Sequence, residues 1–154
     1  MPARVIPSLD SLKELVGHQV GSSEWLPITQ GRVQRFAEAT EDRQWIHLDR
    51  ERAERESPYG TTIAHGFLTL SLISCLARQA MEIRTGVRMA VNYGLNRVRF
   101  PAPVRADSRI RARFTLAVLK EIPGALEATF SVSVEGERMD KPCCAAEWIV
   151  RYYR

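Results

Sequence analysis

Apolar residues recur along this chain at two different spacings, and the change from one to the other falls past its middle. Up to about residue 83 the spacing is mostly three and four, that of helices; from residue 89 onward it is two, that of half-buried strands. Leu9, Leu12, Leu15 and Val16 share one helical face, with Ser8 placed to cap the start and Gly17 to stop the end. Val20 to Ile28 reads as a strand interrupted at Pro27. Thr29 then caps a helix from Gln30 to Ala39 whose inner face carries Val33, Phe36 and Ala37. Asp49 caps a charged, solvated helix, Arg50 to Glu56, that ends before Pro58, and Ser57-Pro58-Tyr59-Gly60 makes a turn. Phe67 to Ala77 is apolar almost all round, the mark of a helix surrounded by protein. That helix should run from about His65 to Ile83, emerge at Arg78, Gln79 and Glu82, and be closed off by Gly86.

The second half is β in character. Met89 to Phe100 is one strand, with Gly94 a candidate bulge, and Pro101-Ala102-Pro103 breaks it. Ile110, Ala112, Phe114, Leu116 and Val118 alternate with arginines and threonine. Ile122-Pro123-Gly124-Ala125 is a hairpin turn, and Leu126, Ala128, Phe130, Val132 and Val134 repeat the alternation. After a loop from Gly136 to Pro142, a last strand runs from Cys143 to Tyr152. One long buried helix, four strands after it and a fifth near the N-terminus make an α+β layer fold, with an antiparallel sheet because hairpins this short join no other kind. With 154 residues the chain is read as one domain, 1–154, with no internal repeat.

Composition narrows the classes further. Hydrophobic content of 45% and charged content of 26% are those of a globular protein. A net charge of +4, spread along the chain, suits a phosphate-bearing ligand but is too weak to argue for nucleic acid, and no nucleic-acid motif is present. Cys75, Cys143 and Cys144 form neither a disulfide framework nor a zinc spacing, and Cys75 reads as core filler. No basic and apolar leader opens the chain, and Phe67 to Ala77 is too short to span a membrane, so the cytoplasm is the expected compartment.

The chemistry concentrates in Asp42-Arg43-Gln44-Trp45-Ile46-His47 and in His65-Gly66. On a continuous helix, residues five apart would sit about 140° from each other. Asp42 and His47 can therefore meet only if the chain between them leaves the helix. Gly66 opens the buried helix, where the first N–H groups lack helical partners and carry partial positive charge. A carboxylate, an imidazole and a polarising N–H are what addition of water to an activated double bond requires. Each part alone has a plainer reading: Asp42 as the cap of a turn, His47 as a partly buried histidine, His65-Gly66 as an ordinary helix start.

Taken together, Asp42-Arg43-Gln44-Trp45-Ile46-His47-Leu48-Asp49 and His65-Gly66-Phe67-Leu68-Thr69-Leu70-Ser71-Leu72-Ile73-Ser74 resemble the motifs of the MaoC-like dehydratases, the (R)-specific enoyl-CoA or type 2 hydratases. The likeness continues through Asn92-Tyr93-Gly94-Leu95-Asn96-Arg97 and on to Val104. It departs at Gln44, where the family has Asn, at Trp45, where it has Pro, and at Glu41, where a glycine is frequent. The resemblance implies a hot-dog fold, a curved antiparallel sheet wrapped around one long central helix, and a homodimer or larger homo-oligomer. It implies reversible hydration of trans-2-enoyl-CoA to (R)-3-hydroxyacyl-CoA. Asp42 and His47 would activate the water, the Gly66 N–H would bind the thioester oxygen, and Ser74 would support the Asp42 side. Gln44, Tyr93 and Arg97 are further substrate-binding candidates, Tyr93 either lining an acyl pocket or simply packing. No metal and no cofactor are expected, CoA (or acyl carrier protein) arriving as part of the substrate. The rivals are a hot-dog thioesterase, disfavoured because Phe67 to Ala77 holds no acidic residue, and a non-catalytic acyl-thioester-binding subunit. The row Arg109, Arg111, Arg113 reads as an exposed sheet face, with contact to CoA phosphates the sharper alternative.

Overall fold

The computed structural model describes residues 2–154. Strand β1 (Arg4–Ile6) leads into a 3-10 helix, Leu9–Leu15, where the Ser8 hydroxyl accepts from the Ser11 N–H at 3.3 Å. Leu9 and Leu12 are buried while Val16, expected on their face, is 42% exposed. The tighter helix repeats every three residues, so Leu9, Leu12 and Leu15 line up and Val16 falls outside.

Two short strands follow, β2 (Gln19–Ser22) and β3 (Leu26–Ile28), rather than one strand broken at Pro27. The break is at Ser23, whose hydroxyl accepts from the Ala112 N–H at 2.9 Å and so takes a backbone acceptor's place in the ladder. Pro27 is tolerated inside β3 because that strand has a single ladder neighbour. Helix α1 (Gln30–Thr40) starts at Thr29, whose hydroxyl accepts from the Arg32 N–H, and buries Val33 and Ala37. A single turn, α2 (Trp45–Leu48), and α3 (Arg50–Glu56), capped by Asp49, complete the first half.

The buried helix is α4 (Gly66–Ser71) followed by α5 (Ile73–Ala80). It loosens at Leu72, where ψ is −8°, yet the Leu76 N–H still reaches the Leu72 carbonyl at 2.9 Å. It ends at Ala80 rather than Ile83, because Met81–Ile83 forms strand β4, paired in parallel with β1. This two-stranded pair is the exception to the antiparallel expectation. Strands β5 (Met89–Arg99), β6 (Ser108–Ile122), β7 (Ala125–Gly136) and β8 (Pro142–Tyr153) follow at the expected places. The main sheet has the order β2-β6-β7-β8-β5, with β3 also on β6. Expected bulges appear at Gly94, and an unexpected one between Leu116 and Val118 turns Val118 outward, 42% exposed.

The inner face of the sheet, with Phe114, Leu116, Phe130 and Val132, closes over Leu68, Leu72, Ile73 and Leu76 of the rod in one continuous core. This is the hot-dog fold. Each such side chain contributes on the order of 1.5–3 kcal/mol by leaving water. The approach is closest at Gly21, where a Cβ would lie 2.3 Å from the Ala80 carbonyl oxygen. On the outer face, Arg111 and Arg113 pair with Glu135, Arg109 pairs with Glu137, and Arg109 and Arg111 stack over Trp25. The arginine row is thus a cross-strand ion ladder, the plainer of its two readings. Among the described residues no helix is long and apolar enough to cross a membrane.

Candidate functional site

The site is made where α1 is forced to stop. Glu41 takes the left-handed conformation with φ +62°, so Asp42, Arg43 and Gln44 leave the helix before α2 begins. The Gln44 carbonyl accepts from the His47 N–H at 3.1 Å, closing the turn that carries the imidazole. Within reach of the same point, residues 62–64 are stitched down on both sides. The Ile63 N–H donates to the Ile46 carbonyl, Ala64 N–H to Val104, and Ala106 N–H to Thr62. This segment delivers His65 and then Gly66 to the start of α4.

One carboxylate oxygen of Asp42 and one ring nitrogen each of His47 and His65 lie within 4.8 Å of one another. Asp42 is exposed, whereas His47 is 6% and His65 3% exposed. His47 Nδ1 lies 2.7 Å from the Ile63 carbonyl, an acceptor only, so Nδ1 carries the hydrogen and the Nε2 lone pair is left free. Burial holds the His47 imidazole below its ordinary value of 6.5, with His65 adding to the shift and the Ile63 carbonyl and Asp42 opposing it. The His47 and His65 rings stack with centroids 3.7 Å apart and planes inclined by 21°. Three such ligands would suit a metal by type. Two nearly parallel rings, however, direct their in-plane lone pairs side by side rather than at one centre.

Two further residues hold this point, and neither was singled out for it by the sequence. The Gln30 amide donates to the His47 main-chain carbonyl at 2.7 Å and accepts from the buried Thr62 hydroxyl. His65, named in the sequence only as the neighbour of Gly66, reaches the Asp42 carbonyl through Nε2 at 2.9 Å. The pairing of His65 with His47 spans 18 positions, and nothing in the periodicity signals it.

Gly66 is the first residue of α4, and His65 ahead of it provides no side-chain cap. Its N–H has no acceptor among the described residues. It borders a cavity of ≈280 Å³ with Thr69, Phe100 and Val104, and a Cβ here would come within 3.1 Å of the Phe100 ring. Gln44 is exposed at the start of α2, its side chain making no cap bond. Ser74 lies about 12 Å further along the rod, in a cavity of ≈630 Å³ with Arg78, Asn92 and Trp148. Tyr93 stands on β5 with the Arg151 guanidinium 3.4 Å over its ring, and Arg97 sits in a second irregularity of that strand with φ +51°. The chain thus brings Asp42, His47 and His65 together at the amino end of the rod, with Ser74 further along it.

Comparison with known proteins places the chain in a family. The family model described as "MaoC like domain" matches residues 11–134. The chain is 50% identical over 150 residues to 3-hydroxyacyl-thioester dehydratase Z of Mycobacterium tuberculosis, covering 97% of this chain and 98% of that one. It is 45% identical over 144 residues to nodulation protein N of Rhizobium leguminosarum bv. viciae, covering 92% and 89%. Among solved structures, monoamine oxidase regulatory protein from Archaeoglobus fulgius superposes with a TM-score of 0.77 at 21% identity, covering 100% of this chain and 99% of that one. A likeness at that identity speaks for the fold.

Proposed function

For a chain that belongs to the MaoC-like dehydratase family, we propose reversible hydration of trans-2-enoyl-CoA to (R)-3-hydroxyacyl-CoA. The observation that carries this reading is the meeting of Asp42 with His47 at the free amino end of α4. Their polar atoms are close enough for one water to touch both. His47 Nε2, the unprotonated ring nitrogen, takes a proton from that water as its oxygen bonds to C3. The electron pair of the double bond moves toward the carbonyl oxygen, where the Gly66 N–H meets the growing charge. A proton returned to C2 completes the addition, and Asp42 holds the water throughout. Gln44, Ser74, Tyr93 and Arg97 remain candidates for contact with the rest of the thioester.

The reaction drawn this way uses no metal and no further cofactor, and the stacked histidines support that. CoA or acyl carrier protein enters with the substrate. Two buried thiols, Cys143 pushed up to about 12 and Cys144 to about 11 by desolvation, are poor nucleophiles and suit a reducing cytoplasm. A homodimer belongs to the same proposal. The outer edge of β5 has no ladder partner among the described residues, and its Met89, Val91, Tyr93 and Leu95 are all exposed. A second copy on that edge would also shelter a site that leaves Asp42 open to solvent.

The test is the ultraviolet absorbance of the enoyl thioester, followed with purified protein and a series of trans-2-enoyl-CoAs. Loss of the signal with formation of the (R)-3-hydroxy product is expected. Release of free thiol instead would favour the thioesterase, and no change at any chain length would favour a binding subunit.

A further inference from the structure

We infer that His65 is the positioning residue of the Asp42–His47 pair, its ring laid flat on His47 and its Nε2–H holding the main-chain carbonyl of Asp42. The inference rests on reading Asp42 and His47 as the acid/base pair. It assigns to His65 two separable tasks.

The tautomer follows from its surroundings. A carbonyl oxygen only accepts, so the hydrogen of His65 is on Nε2. Nδ1 is buried with no hydrogen-bond partner. With no acceptor beside Nδ1, nothing in the packing favours the other tautomer. The Nε2–H is therefore the hydrogen that grips Asp42. Grip on that carbonyl fixes where the chain leaves α1, and hence where the carboxylate stands.

The second task concerns His47. The titratable and charged groups facing its imidazole are Asp42 from the preceding loop and His65 from the start of α4. Uncharged groups also stand against the rings: the Ile63 carbonyl at His47 Nδ1 and Phe36 of α1, whose ring is 4.9 Å from His65. A flat ring covering one face of His47 keeps water away from it, so a proton arriving there is poorly solvated. The imidazole then stays in the form that can accept a proton from substrate water.

Two substitutions separate the tasks. His65→Gln keeps an N–H donor and removes the ring. His65→Phe keeps a flat ring and removes the donor. Each is followed by the pH dependence of kcat/KM with an enoyl-CoA, and by NMR titration of the His47 ring, after circular dichroism has shown a wild-type fold. In His65→Gln the acid limb and the NMR midpoint of His47 move up together toward 6.5. In His65→Phe the midpoint stays and kcat falls by about 10-fold or more, with KM little changed, because the carboxylate is no longer held in place. An unmoved midpoint in folded His65→Gln overturns the inference, and so does a folded His65→Phe turning over within about twofold of wild type. If either variant fails to fold, the other still decides its own task. Should the wild type not hydrate enoyl thioesters at all, the proposed reaction falls, while the NMR titration still judges the role of His65.

Discussion

Asp42 and His47 are where a change of a few atoms should cost most. Asp42→Asn and His47→Gln each preserve size, and each should lower turnover by at least about 100-fold in the enoyl-CoA assay while leaving the circular dichroism spectrum intact. A pH dependence follows from His47 as well. Its folded value lies below the ordinary 6.5 because it is buried. Below pH 6.5 the unfolded chain therefore binds a proton that the folded chain refuses. The stability involved is complete above pH 6.5 and is lost as pH falls from there through the lowered folded value. Urea unfolding as a function of pH should show this decline, and a folded His47→Gln should lack that part of it. At this scale the sequence was legible where chemistry depends on neighbours in the chain. Asp42, His47, His65 and Gly66 sit in short motifs, whereas the contacts that Gln30 and the His65 ring make exist only in the folded backbone.

The secondary elements were legible wherever a run of residues repeats one environment. The long strands β5 to β8 fall at their expected places, as do α1 and α3 with their Thr29 and Asp49 caps. What escaped were segments of three or four residues whose state is set by a distant partner. Met81–Ile83 looks like the tail of a helix and becomes a strand because Arg4–Ile6 lies beside it. The bulge at Ala117 likewise reverses the side-chain alternation at a position that reads as inward. Gly21 carries the sharpest prediction of this kind. Its φ needs no glycine, but a methyl would overlap the Ala80 carbonyl, and backbone at both ends leaves nothing flexible to yield. Gly21→Ala should destabilise the protein by about 1–3 kcal/mol, read as a lowered Tm.

Over the whole molecule, strand order is the feature that periodicity cannot supply. Nothing in Met89 to Arg99 says that it lies at an edge, exposed on both faces. That placement predicts a particle of twice the 17.5 kDa chain mass in sedimentation equilibrium. Leu95→Lys, which puts a charge on the exposed apolar strand, should shift it toward the monomer and reduce turnover with it. A wild-type protein that stays monomeric at micromolar concentration would remove the second copy from the proposal.

The rod precedes its own cover in the chain, and this matters during synthesis. Helix α5 has left the ribosome when β8, the strand that completes the sheet, is still roughly seventy residues away, a delay of several seconds at 5–20 residues per second. For that interval the buried rod has only the short strands made before it, and lacks the full sheet that encloses it. Its yield in a cell should therefore depend on the pace of translation, quite apart from how stable the finished fold is.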